Sequence, residues 1–231
     1  MNELFNANPI SGLLLTVGCY WIGQIIYKKT GWTVLQPILT SSAIIIAFLM
    51  IANISYEDYY NQNAILNYIL PLTAVVLAVP LYRNLNILKR HYLPILAGII
   101  SGTIVTMGMI VIVGKIMGTK PVILISMLPK SATNPIALEV SKIIGGIPSF
   151  TVALVVITGV FGGVLGPELL KLFRIKNDVA RGIALGSMSH AVGTARAFKE
   201  GEIEGSMSSL AMAIAGTLTA ILSPLFALFF Q

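Results

Sequence analysis

Charged residues, cysteine and histidine are all scarce in this chain. Asp, Glu, Lys and Arg make up 10% of its 231 residues, whereas soluble domains carry about 25%. The single cysteine, Cys19, excludes an intrachain disulfide. One cysteine and two widely separated histidines cannot build a typical zinc site. We therefore predict neither a metal ion nor a cofactor.

Enzyme and nucleic-acid motifs are also missing from the sequence. It has no G-x-x-x-x-G-K-[ST], H-E-x-x-H or G-x-S-x-G pattern. Ser189 beside His190 is not a catalytic pair, because adjacent residues on a helix point in different directions. The net charge of +6 comes from basic residues in short loops, as membrane topology and contact with anionic lipid predict. We expect no catalytic residue and no nucleic-acid partner.

Long apolar runs recur along the whole chain, and about 20 such residues suffice to cross a bilayer. No cleavable signal peptide is evident, since Glu3 precedes the first run and no basic segment or cleavage site accompanies it. The pattern predicts an all-α polytopic membrane protein, a single membrane domain over 1–231 with about six spanning helices. The expected spans are 9–27, 36–54, 64–82, 93–117, 148–166 and 205–230.

Two further segments, 121–145 and 178–200, combine short apolar pieces with a polar break. Pro129 and Pro135 remove backbone donors and disfavour helix in the residues before them, so the first segment opens there. Gly193 permits unusual backbone angles or close approach in the second. Polar breaks persist in hydrocarbon only where protein or a wet cavity surrounds them. Paired breaks of this kind indicate the binding site of a transporter.

The charges of the loops bear on how these two segments cross. The basic groups fall on one side of the membrane only if 121–145 is a re-entrant hairpin entering from outside, followed by a second hairpin entering from inside at 178–200. Full-length broken helices are the alternative. Lys115 and Lys120 fall on the outer side and weaken the argument for the hairpins. The basic groups are Lys28 and Lys29; Arg83, Lys89 and Arg90; and Lys171, Arg174, Lys176 and Arg181.

An ungapped alignment of the two segments pairs Ser126-Met127 with Ser187-Met188, Thr133 with Thr194, and Glu139 with Glu200. We interpret this as an inverted repeat whose opposed hairpins meet near the bilayer midplane. Fold analogy alone adds an elevator-like architecture, in which residues 1–92 form N-terminal spans that serve as a scaffold and residues 93–231 form the transport-like part.

The two breaks supply the candidate substrate-binding residues. Lys130 and Arg196 offer positive charge, and an arginine fork binds a carboxylate in bidentate fashion. Thr133 or Asn134 can cap a half-helix that starts near Pro135, and the N-terminus of such a helix suits an anion. The alternatives are structural roles: a Lys130 whose ammonium group extends to the membrane interface, an Arg196–Glu200 ion pair at i,i+4, and a His190 that only supports the fold. The set is Lys130, Ser131, Thr133, Asn134, Ser189, His190, Gly193, Thr194 and Arg196.

Other polar and small residues look structural. Gly159, Gly162, Gly163 and Gly166 predict a surface for close helix packing. Glu200, Glu202 and Glu204 are most simply a solvated loop face.

The blocks LPKSATNP-IALEVS, GGIPS and SHAVGTARA, in this order, resemble the LrgB/CidB family over roughly residues 120–218. Position 134 is Asn where the family pattern predicts Thr or Ser. The resemblance implies either a carrier of small monocarboxylates such as pyruvate, glycolate or glycerate, or a holin- or antiholin-like modulator of murein hydrolase activity and autolysis. It also implies a small LrgA/CidA-type membrane partner.

A carrier fits the two polar breaks better, because a holin forms lesions from simple helices and needs no polar site at the midplane. We therefore predict a secondary, proton-coupled transporter of small organic anions in the bacterial inner (plasma) membrane, with His190 as the proton-coupling group and a homodimer as the assembly. The holin- or antiholin-like role is the alternative, and a regulatory scaffold for the small partner is a third class.

Overall fold

The structure is a computed structural model that describes residues 10–31, 35, 37–66, 68–69, 79 and 82–230. These residues form helices, turns and bends with no β-strand among them, so the predicted all-α class is confirmed. The predicted span at 64–82 falls mostly outside the described residues, as does Glu3. The chain divides into two compact units, Met1–Val76 and Leu77–Gln231.

The first unit contains α1 (Ser11–Thr30), α2 (Pro37–Ala52) and α3 (Tyr56–Gln62). Helix α1 ends at Gly31, whose left-handed backbone (φ 65°) lets its N–H bond the Tyr27 carbonyl. The Thr16 hydroxyl donates to Asn63 Oδ1 at 2.9 Å. It also shares a 2.7 Å hydrogen bond with the Tyr59 hydroxyl, which ties α3 to α1.

The second unit begins with α4 (Leu85–Ile116) and then carries the two predicted breaks between longer helices. Its remaining elements are α5 (Pro121–Met127), a 3₁₀ turn (Leu128–Ser131), α6 (Asn134–Ile143), α7 (Pro148–Leu172), α8 (Asp178–Glu200), α9 (Glu202–Ala227) and a final 3₁₀ turn (Leu228–Phe230).

Within the described part of the chain, three helices are long and apolar enough to cross a membrane: Leu85–Ile116, Pro148–Leu172 and Glu202–Phe230. Large apolar side chains on these helices face outward, among them Val105, Phe161 and Ile221. A surface of this kind suits a hydrocarbon solvent, since a helix in water hides its apolar face. The chain is therefore a helical membrane protein, and three of the six predicted spans meet the criteria for a crossing.

The core of the second unit lies where α4 packs on α9. Ile95 and Ile99 of α4 are fully buried against Met207, Ala211 and Ala215 of α9. Helix α4 bends at His91 (φ −122°, ψ 21°) just before this contact. The bend follows from Pro94, which has no N–H to donate to the preceding turn and whose ring clashes with the carbonyl there.

Candidate functional site

The first break consists of α5, the 3₁₀ turn and α6, which we call the first hairpin. Ser126, at the end of α5, is fully buried and its Oγ accepts a 2.8 Å hydrogen bond from the N–H of Ile147, beyond α6. Thr151 in turn donates to the Ser126 carbonyl at 2.9 Å. These bonds join residues more than 20 positions apart, so the end of α5 lies beside the turn after α6 and the first turn of α7.

The second break is also a hairpin, because α8 reverses at His190 (φ 39°, ψ −130°). In a straight helix Arg181 and Glu200 would lie about 28 Å apart, yet Arg181 Nη2 is 3.6 Å from Glu200 Oε2. The buried Gly193 follows the reversal, where a Cβ atom would collide with the Leu185 carbonyl and the Ser189 side chain. Close approach of the two arms therefore requires glycine at 193, as predicted.

Helix α7 supplies a glycine-lined groove for the tip of the second hairpin. A Cβ atom at Gly159 would strike the His190 ring, and one at Gly162 would strike Ser189. Gly163 and Gly166 lie in the same way against Val192 and Leu185, so the predicted packing surface is confirmed. In this groove His190 Nε2 donates a 2.9 Å hydrogen bond to the Val155 carbonyl.

The tips of the two hairpins lie together. The 3₁₀ turn of the first hairpin, which contains Lys130, packs against α7, α8 and α9. Ser131 Oγ and Ser189 Oγ are both buried, and neither has a hydrogen-bond partner among the described residues. An ammonium group and free hydroxyls are the kinds of group that can bind a small carboxylate.

The other predicted residues of the tips have different surroundings. Thr194 is buried, and its hydroxyl shares a 2.9 Å hydrogen bond with Ser208 of α9. Asn134 is exposed at the start of α6, and Thr133 precedes it with an extended backbone but no side-chain cap. The predicted cap by either side chain is wrong: Thr133 makes no cap bond, and Asn134 is itself the first helical residue.

Arg196 lies in an ion-pair network at the base of the second hairpin. Its Nη2 is 2.6 Å from Glu200 Oε1. This is the i,i+4 ion pair expected if Arg196 has a structural role. Arg181 approaches the other oxygen of Glu200, and its Nε donates to Glu204 Oε2 at 3.0 Å. The interpretation of Glu204 as a solvated loop residue is wrong, because Arg181 and Glu204 are both buried at the contact of α8 with α9.

Sequence reasoning missed the polar residues that close the first hairpin and those of α9 that face the second. Ser126, Ser141 and Thr151 are fully buried, and the Ser141 and Thr151 hydroxyls share a 2.8 Å hydrogen bond. Serine and threonine residues inside an apolar run are the sequence feature that could have identified these positions, because a buried hydroxyl group must find a hydrogen-bond partner. Across the described ranges no group of His, Cys, Asp and Glu could hold a metal ion.

Comparison with known proteins gives a consistent result along nearly the whole chain. The model of the LrgB-like family matches residues 16–229. "Uncharacterized protein YxaC" of Bacillus subtilis (strain 168) is 41% identical over 92% of this chain and 93% of its own length. "Antiholin-like protein LrgB" of the same organism is 35% identical over 95% of each chain, and its namesake of Bacillus mycoides (strain KBAB4) is 34% identical over 94% of this chain and 95% of its own. No solved structure matches.

Proposed function

Because this chain belongs to the LrgB-like family, we propose that it is an antiholin-like protein that modulates murein hydrolase activity and autolysis. The names of two relatives, which share about a third of its residues over almost their full length, support this role. Neither the family nor these names indicate an enzyme. Deleting the gene in its native host should change the rate of detergent-induced autolysis, and expressing the chain again should restore it. An unchanged rate in both strains would contradict the proposal.

A second candidate function is transport of small monocarboxylates of the pyruvate, glycolate or glycerate class. The observation that favours it is the buried meeting of the two hairpin tips, with Lys130 in the 3₁₀ turn and unpartnered hydroxyls on Ser131 and Ser189. Buried hydroxyls without partners are costly unless a ligand or water satisfies them. A carboxylate supplies acceptor oxygens for both hydroxyls and an opposite charge for the ammonium.

Packing at the tips supports a carrier over a simple pore. The tip of the second hairpin fills the glycine groove of α7. The first arm of this hairpin, before His190, lies against the main chain of α9 at Gly182 and Gly186. A polar centre enclosed in this way can bind one small anion at a time, whereas a lesion formed by a holin needs no such centre.

Transport by the purified protein separates the two membrane activities. Proteoliposomes should take up labelled pyruvate or glycolate with saturation and retain a trapped dye too large for a carrier. Dye release without selective uptake would support a pore. If neither occurs, with or without a small LrgA/CidA-type partner, the carrier proposal is refuted, while the autolysis experiment still stands on its own.

The finer architecture belongs to the same proposal. We propose that the hairpins enter the bilayer from opposite faces as an inverted repeat, and that α4 to α9 move as an elevator-like body. The residues that we assign to the substrate site are the nine predicted from the sequence, with Arg196 at the base rather than the tip of its hairpin. We further propose a multi-pass protein of the bacterial inner membrane that forms a dimer.

A further inference from the structure

A cavity of about 460 Å³ lies at the base of the second hairpin, where the loop after α7 meets the ion-pair network. Its inner wall contains Arg181, Glu200 and Glu204, whose charges balance once Arg196, the second partner of Glu200, is included. Its outer wall consists of the end of α7, the loop after it and the start of α8, at Lys171, Arg174, Ile175, Lys176 and Asp178. The cavity lies away from the hairpin tips, so the anion site proposed above does not account for it.

The outer wall carries positive charge that is not neutralised. Lys171 pairs with Glu168 at 3.1 Å, outside the cavity lining. Within the described part of the chain, Arg174 and Lys176 take part in no ion pair. Asp178 is the one acidic residue on the loop side of the cavity. The loop therefore offers two cations to an anion entering the cavity.

The backbone at Arg174 is strained in a way that holds its side chain at this position. Arg174 has φ 56°, the left-handed region that glycine ordinarily occupies at the end of a helix. Its N–H bonds the Lys171 carbonyl, and the next N–H, of Ile175, bonds the Leu170 carbonyl, both at 2.9 Å. These bonds form a Schellman motif. An arginine there costs backbone energy that glycine would not, which points to a use for the guanidinium group.

Two exposed apolar side chains precede Arg174 in the sequence. Leu172 is 73% exposed and Phe173 is 71% exposed, next in sequence to Arg174. A free phosphate ion in water has no use for such neighbours, whereas the acyl chains of a lipid cover them. A phosphodiester headgroup with its glycerol also fills a cavity of this size better than a bare ion does.

We propose that this cavity binds the phosphate group of an anionic phospholipid, with Arg174 and Lys176 as the phosphate ligands and Leu172 and Phe173 against the acyl chains. The proposal is independent of the function proposed above. Basic pockets between membrane helices bind lipid headgroups by the same chemistry. A lipid bound there would lie beside Arg181 and Glu204, and so would stabilise the closed base of the hairpin.

Native mass spectrometry of the delipidated full chain with added phosphatidylglycerol tests this assignment. The variant Arg174→Gln/Lys176→Gln should bind the lipid about thirtyfold more weakly. The variant Lys28→Gln/Lys29→Gln loses the same charge from the exposed end of α1, and should bind as the wild type does. Arg174→Gly removes one cation and relieves the backbone strain, so it should fold at least as well as the wild type and bind about fivefold more weakly.

Three results would overturn the proposal. The first is equal retention of phosphatidylglycerol by Arg174→Gly and the wild type. The second is displacement of the lipid by inorganic phosphate at comparable concentration, which would assign the cavity to a soluble oxyanion. Retention of phosphatidylcholine as strong as that of phosphatidylglycerol would also contradict a site selective for anionic lipid.

Discussion

Replacing Gly186 by alanine probes the contact on which the second hairpin depends. Gly186 lies where the first arm of α8, before His190, crosses α9. A Cβ atom there would meet the carbonyl group and Cα of Ser208. These are main-chain atoms, which cannot rotate aside as a side chain can. Either α8 or α9 must therefore shift when the methyl group is added.

Two opposing effects set the size of the change. Overpacking a well-packed contact costs about 3 kcal/mol at the upper end of its usual range, and alanine recovers about 1 kcal/mol of helix propensity. The net loss of about 2 kcal/mol should lower the apparent melting temperature by about 4–8 °C. The assay is retention of the monodisperse peak in size-exclusion chromatography after heating in detergent.

Gly108→Ala is the matched control. Gly108 lies inside α4, and no described atom lies within 4 Å of the position that a Cβ atom would occupy. The same substitution should therefore leave the melting temperature unchanged or raise it, through helix propensity alone. If Gly186→Ala melts together with Gly108→Ala, the close crossing of α8 and α9 is refuted.

Three further predictions concern buried polar groups. Arg181→Gln and Glu204→Gln should each lower the free energy of unfolding by about 3–5 kcal/mol, because each leaves a buried charge without its partner. The double variant should lose less than the sum of the two. Additive losses in the same heating assay would contradict the ion pair. Ser126→Ala should cost about 1–3 kcal/mol by leaving the Ile147 N–H unpaired, whereas Ser101→Ala removes an exposed bond within α4 and should be neutral. His190→Gln should abolish the pH dependence of anion uptake, and a wild-type pH profile would remove His190 from proton coupling.

The two hairpins could be predicted from the sequence because their breaks are local. Pro129 and Pro135 bar regular helix wherever they occur. Gly193 and the glycines of α7 predict that another segment packs closely there, although the sequence does not identify that segment. The family resemblance pointed to the same segments. The sequence therefore contains the positions of both breaks and the groove that receives one of them.

The partners of the charged residues could not be predicted, because folding brings together residues that are distant in the chain. Glu204 follows a hydrophilic stretch and looks solvated, yet the reversal at His190 brings Arg181, 23 residues earlier, against it. Arg196 looks equally suited to a ligand or to Glu200, and in the folded chain its guanidinium lies 2.6 Å from Glu200. The cap predicted at α6 does not form, since Thr133 makes no cap bond and Asn134 lies inside the helix.

The measurement that tests the proposed anion site most directly is uptake of labelled pyruvate or glycolate by proteoliposomes containing Lys130→Gln, with Lys115→Gln as the control. Lys130 lies at the meeting of the hairpin tips, whereas Lys115 is exposed at the end of α4. Loss of a charge-assisted bond to the substrate should reduce the uptake efficiency of Lys130→Gln about ten- to a hundredfold, in protein that stays monodisperse. Equal uptake by the two variants would contradict a substrate site at the hairpin tips.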